Sequence, residues 1–122
     1  MYRNAVSAYQ KVDKATLPGR ETEARVLSEG ALRLKRCQDT WESPGLDERL
    51  DDALKYNQKI WSLFQGELAR EDNPLPKKLR VDILRLAAFI DKRIFEIMAF
   101  PSPEKLSIII NINQNLAAGL RG

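Results

Sequence analysis

Between Leu46 and Leu68, Leu46, Leu50, Ala53, Leu54, Trp61, Phe64 and Leu68 recur at steps of three and four, with Asn57 in the same row. That spacing predicts an α-helix with one apolar stripe. Asp47, Glu48, Arg49, Asp51, Asp52, Lys55, Lys59 and Glu67 fall on the other side, which should meet water. Asn57 stands alone as an amide in the stripe, one turn before Trp61. A buried amide costs free energy unless its hydrogen bonds are made, so this pair should fix how the helix docks.

The same periodicity organises the remaining segments. In residues 3–15, Ala5, Tyr9 and Val12 share a face and Gln10, Lys11 and Lys14 oppose it, predicting a short helix that Pro18-Gly19 ends. A second helix is expected from Glu21 to Trp41, with Ala24, Leu27, Ala31, Leu34 and Trp41 along its stripe. Its acids come first and its bases last, the order the backbone dipole favours. Gly30 within it costs about 1 kcal/mol relative to alanine, which points to a close approach by a neighbouring helix or to a local bend. Ser43-Pro44-Gly45 hands over to the central helix, which should end near Arg70 ahead of Glu71-Asp72-Asn73-Pro74.

Pro76 fits as the first helical residue of the next segment, where its missing amide hydrogen costs nothing. Leu79, Ile83, Leu86, Ala87, Ile90, Ile94 and Ile97 then keep helical spacing to about Ala99, while Leu84, Ala88, Phe95 and Met98 widen the stripe. A helix this apolar on two sides is either the most buried of the domain or offers one side to a partner. After Phe100-Pro101, Ser102-Pro103-Glu104 reads as an N-cap, a first-position proline and a first-turn acid. Ser107–Asn113 alternates Ile108, Ile110 and Ile112 as a strand would. Leu106, Ile109, Ile110, Asn113, Leu116, Ala117 and Leu120 make a helical stripe through the same residues, and a lone strand would have no partner. The expected architecture is all-α: one domain over residues 1–122, a bundle of about five helices.

Composition fits a folded chain. Of 122 residues, 43% are hydrophobic and 30% charged, with 20 basic and 17 acidic side chains interleaved to a net charge of +3. So mild an excess permits nucleic-acid binding without suggesting it. The opening Met1-Tyr2-Arg3-Asn4 has no apolar run of signal-peptide length and no segment approaches the ~20 apolar residues of a membrane span, so a cytoplasmic location is expected. No histidine is present and Cys37 is the one cysteine, which removes the commonest general base, the commonest metal ligand and any internal disulfide. With no glycine-rich phosphate loop and no nucleophile elbow, neither an enzyme nor a cofactor is expected. Asp47, Glu48, Asp51 and Asp52 read as a solvated acidic face rather than a magnesium site. Lys77, Lys78, Arg80 and Arg85 form the densest basic cluster, a solvated face on the plain reading and phosphate contacts on the sharper one. Trp41, Trp61, Phe64, Phe89 and Phe95 are mostly core by spacing, with one or two available to line a groove.

Ala8-Tyr9, then Arg20 and Glu23, then Leu54, Asn57 and Trp61, then Leu75-Pro76 with Leu79-Arg80, Ile83 and Leu86, and finally Ile112-Asn113 and Gly119-Leu120 form a co-linear set. This set resembles the FlaF family of flagellar-biosynthesis regulators over nearly the whole chain. A departure is Asn111, where an acidic side chain is expected in many relatives. The resemblance implies a cytoplasmic, non-enzymatic protein that promotes flagellin synthesis and export and acts with the flagellin-mRNA regulator FlbT. A helical domain with surplus apolar surface would bind an amphipathic terminal segment of flagellin by helix-in-groove packing, as an export chaperone. Leu75, Arg80, Leu84, Phe95 and Ile108 are the candidate contacts. The alternative is a post-transcriptional regulator that binds FlbT or flagellin mRNA, with Lys77, Lys78, Arg80 and Arg85 on RNA phosphates. Tyr9, Asn57, Trp61 and Pro76 are expected to determine the fold rather than touch a partner.

Overall fold

A computed structural model of the chain describes residues 20–122; the segment predicted at 3–15, with Tyr9, lies outside the described residues. The described chain is four α-helices and one short 3-10 turn: α1 (Arg20–Asp39), α2 (Leu46–Ala69), α3 (Lys77–Ala99), the turn Pro103–Leu106, and α4 (Ser107–Arg121). No strand occurs among the described residues, and Ser107–Asn113 is helical. Its alternation loses to the stripe because Ile109, Ile110, Ile112, Asn113, Leu116, Ala117 and Leu120 are all buried, which a helix achieves against a neighbouring helix. The Ser102-Pro103-Glu104 signal marks the 3-10 turn rather than α4 itself.

Two predicted boundaries shift slightly. The second helix stops at Asp39, and Trp41 packs half-buried from the following turn. Gly45 takes φ 80°, a left-handed conformation that glycine adopts without strain, and its carbonyl accepts the Arg49 amide at 3.1 Å. Arg49 is not simply a solvent-facing residue: its guanidinium donates to the carbonyls of Pro44 and Thr40 and so holds the α1–α2 turn. Pro76 sits one position ahead of its expected place. With ψ 145° it is the extended residue before the helix, and its carbonyl accepts the Arg80 amide at 3.0 Å, so Lys77 is the first helical residue.

The end of α2 is closed from outside the helix. Asn73 Nδ2 donates to the Glu67 carbonyl at 3.1 Å and Arg80 Nη1 to the Arg70 carbonyl at 2.9 Å, satisfying groups that a helix terminus leaves open. At the other connection Gln38 Nε2 donates to the Pro103 carbonyl and to Ser107 Oγ, both at 2.9 Å, tying the end of α1 to the start of α4.

Packing is unequal, and this inequality positions the surface described below. The backbones of α1 and α4 approach most extensively, α2 lies against α1, and α3 lies against α2. Among the described helices, α3 therefore has one close neighbour. Its inner row of Ile83, Ala87, Ile90, Ile94 and Ile97 is buried, each isoleucine contributing roughly 1.5–3 kcal/mol. A smaller cluster of Leu68, Leu75 and Ile83, with Phe64 and Leu84 against it, closes the α2–α3 corner.

Candidate functional site

The polar centre of the bundle is an interior network. Asn57 and Asn113 are fully buried, as is Trp61. Asn57 Nδ2 donates to the carbonyls of Ala53 at 2.9 Å and Gly30 at 3.1 Å, and its Oδ1 accepts from Asn113 Nδ2 at 2.6 Å. Asn113 Oδ1 in turn accepts the Trp61 indole N–H at 3.1 Å, while its Nδ2 also reaches the Leu27 carbonyl at 3.4 Å. Both amides are thereby satisfied at each end, and α1, α2 and α4 are locked in register. Gly30 is what admits the network: a Cβ there would stand 2.6 Å from Asn57 Oδ1 and 3.0 Å from Asn113 Nδ2. Of the two readings for Gly30, close approach is the one realised. Asn57, Asn113 and Trp61 present no surface in the described bundle.

The exposed large apolar side chains concentrate on α3 and just beyond its end, while Leu32 of α1, Leu63 of α2 and Ile108 of α4 are exposed singly. The buried row of α3 runs at steps of four, three, four and three from Ile83 to Ile97. Leu84, Ala88, Asp91, Phe95 and Met98 repeat those steps one residue later, about 100° around the helix. Here Leu84 and Asp91 are half-buried, whereas Ala88, Phe95 (61% exposed) and Met98 (37%) are open. Phe100, beyond the helix end, is 74% exposed, with Lys105 Nζ 5.8 Å from its ring centroid and donating to its carbonyl at 2.6 Å. On the other flank Phe89 is 40% exposed under the Arg93 guanidinium.

The polar groups of this face are only partly satisfied. Gln65 Nε2 of α2 donates to Asp91 Oδ2 at 3.3 Å, while Asp91 Oδ1 is buried with no hydrogen-bond partner. Arg80, one turn before Leu84, gives Nη1 to the Arg70 carbonyl, and its Nε is likewise buried and unpartnered. By sequence alone Asp91 does not stand out, because an aspartate on a helix is ordinarily solvated. Only the second heptad-like row, with an acid at its centre, could have drawn attention to it.

The candidate contacts divide. Phe95 and Ile108 are exposed, Leu84 is half-buried in the α2–α3 corner, and Arg80 is half-buried at the N-terminal end of the row. Leu75 offers no surface: it is 3% exposed and packs on Leu68 and Ile83, because Asn73 Oδ1 accepts its amide at 3.0 Å and turns the chain inward. Of the five aromatics expected mostly in the core, Phe89 and Phe95 are outside it. Lys77, Lys78 and Arg85 are exposed, but Arg80 is engaged in closing α2, so the four bases are not equivalent phosphate ligands.

Elsewhere the chemistry is quiet. Burial pushes the Cys37 thiol above its ordinary value, opposed by the positive charge of Arg49, which leaves the sulfur a poor nucleophile. Arg70 holds the Asp72 carboxyl below its usual range through two hydrogen bonds of 2.9 Å at the α2–α3 corner. No cluster of three or more metal-ligating side chains occurs among the described residues. No described helix is long and apolar enough to cross a membrane. A wide, open depression lined by Arg25, Val26, Ser28, Glu29, Leu32 and Tyr56 lacks the enclosure of a small-molecule site.

Compared with known proteins, residues 5–120 match the family model described as flagellar protein FlaF. No curated protein and no solved structure matches the chain.

Proposed function

The chain belongs to the FlaF family of flagellar proteins, and on that premise we propose that it is a non-enzymatic, cytoplasmic export chaperone that binds flagellin and promotes its synthesis and secretion. The observation that carries this reading is the outer row of α3. Phe95 and Met98 stay exposed on a helix whose inner row is already buried, so the apolar surface exceeds what the described bundle covers. An amphipathic helix laid along α3 would bury these side chains at the i, i+3, i+4 and i+7 positions that helix-in-groove recognition uses. The terminal segments of a flagellin monomer are amphipathic and assemble prematurely when left free, which makes them the natural occupant.

Mixing the purified chain with flagellin held monomeric should give a stoichiometric complex in size-exclusion chromatography with light scattering. Phe95→Asp should abolish it without changing the helical circular-dichroism spectrum. Absence of a complex with the unaltered chain, under conditions where flagellin stays monomeric, refutes the reading. The alternative of FlbT or mRNA as the primary target rests, for RNA, on the exposed Lys77, Lys78 and Arg85. Binding through those residues would weaken steeply with salt, whereas apolar docking would not.

A further inference from the structure

The outer row of α3 is not a uniform apolar stripe. Asp91 stands at its centre, half-buried, with one carboxylate oxygen bonded to Gln65 and the other buried without a partner. Arg80 stands at its N-terminal end with an unpartnered Nε. Eleven residues of helix separate the two by about 16 Å. A helix that covers this row strips what water remains from a carboxylate holding one protein hydrogen bond. That is costly unless the incoming helix brings a donor to the carboxylate.

We propose that Asp91 is a specificity determinant of this face, selecting a flagellin helix that carries a lysine, arginine or side-chain amide opposite it within an otherwise apolar stripe, with an acceptor about three turns away for Arg80. The choice of flagellin as the source of that helix rests on the function proposed above; the selection by Asp91 rests on the geometry of α3. The same geometry disfavours a second copy of this chain. Two α3 helices paired parallel in register bring Asp91 against Asp91. Paired antiparallel over the exposed stretch, they bring it against Phe95. An antiparallel register that matches Arg80 to Asp91 leaves Phe95 and Met98 overhanging the partner's helix start at Lys77. None of these three registers covers the apolar residues and pairs the charges together, whereas a different helix is free to do both.

The test uses the full chain and three synthetic amphipathic peptides of about three heptads, identical except for lysine, leucine or glutamate at the central stripe position. Fluorescence anisotropy at constant ionic strength should rank them lysine tightest and glutamate weakest, with at least a roughly tenfold gap between those two. Asp91→Lys should invert the order. Asp91→Asn should narrow the gap, and serves if the lysine variant does not fold as judged by circular dichroism. A ranking that ignores residue 91, leucine as the tightest peptide on the unaltered chain, or no binding of any peptide overturns the proposal.

A benzophenone amino acid in place of Phe95 identifies the occupant. A photo-adduct with the lysine peptide supports the assignment; an adduct to a second copy, or to residues 1–19 of the same chain, overturns it. Flagellin itself is measured in parallel. Flagellin binding that is unchanged in Asp91→Lys sinks the selection by Asp91 and leaves the chaperone reading standing. Peptides that invert their order while flagellin fails to bind sink flagellin as the occupant and leave the role of Asp91 standing.

Discussion

Replacing Gly30 by alanine sets two effects of opposite sign against each other. In a helix interior the change removes backbone entropy from the unfolded chain and should stabilise by about 1 kcal/mol. Against that, the new Cβ falls 2.6 Å from Asn57 Oδ1, about 0.8 Å inside the 3.4 Å at which ordinary contact begins. Asn57 cannot swing aside at low cost, because its Nδ2 serves two carbonyls and its Oδ1 accepts from Asn113. Making room unmakes the bonds to Gly30 and to Asn113, each leaving buried groups unpaired at roughly 1–3 kcal/mol. The cost outweighs the gain, and the expected net loss is roughly 3 kcal/mol, within about 1–5. Urea unfolding followed by far-ultraviolet circular dichroism measures it as a lowered midpoint at unchanged slope. A Gly30→Ala chain as stable as the parent, or more so, would mean that α1 and α2 are not held at the spacing described and that the network is dispensable.

Asn113→Ala should cost roughly 2–5 kcal/mol, since it strands the Trp61 indole N–H and Asn57 Oδ1 together; paired with Asn57→Ala in a double-mutant cycle, the losses should be clearly less than additive, and simple additivity would refute a shared network. Phe95→Ser should leave the unfolding midpoint within about 0.5 kcal/mol of the parent while eliminating flagellin binding; a large stability loss would show that Phe95 is structural. For Cys37 the folded state favours the neutral thiol, so its contribution to stability is complete below the ordinary thiol pKa and is lost as pH rises through the raised folded-state value. A disulfide-exchange reagent should therefore label the native chain slowly and the urea-unfolded chain fast, and Cys37→Ala should flatten the alkaline decline; fast native labelling at neutral pH would contradict the burial. Lys77→Ala with Lys78→Ala should leave flagellin binding and its weak salt dependence unaltered, measured by titration at two ionic strengths, and a steep loss would favour a phosphate-binding role.

Helical periodicity is local, and for that reason residues along the chain were enough to place α1 through α4, the apolar stripe of α2, the two-sided character of α3 and the turn at Gly45. The oddity of Asn57 beside Trp61 could be read in the same way, because an amide in an apolar stripe demands partners wherever the chain finds them. Who those partners are was not local: Asn113 lies 56 residues away, and Gly30 on a third helix supplies both the space and a carbonyl. The same limit separates Leu75 from Phe95. Both are large apolar residues of one region, yet Asn73 folds the first into the α2–α3 corner while the second faces out, since among the described helices α2 is the one that α3 lies closely against. Asp91 became visible as part of a surface only once Gln65 was seen to reach it across that contact. Sequence by itself decided the helices and the supply of apolar faces; which face was left over depended on how the helices were arranged around α2, a matter of contacts between residues far apart in the chain.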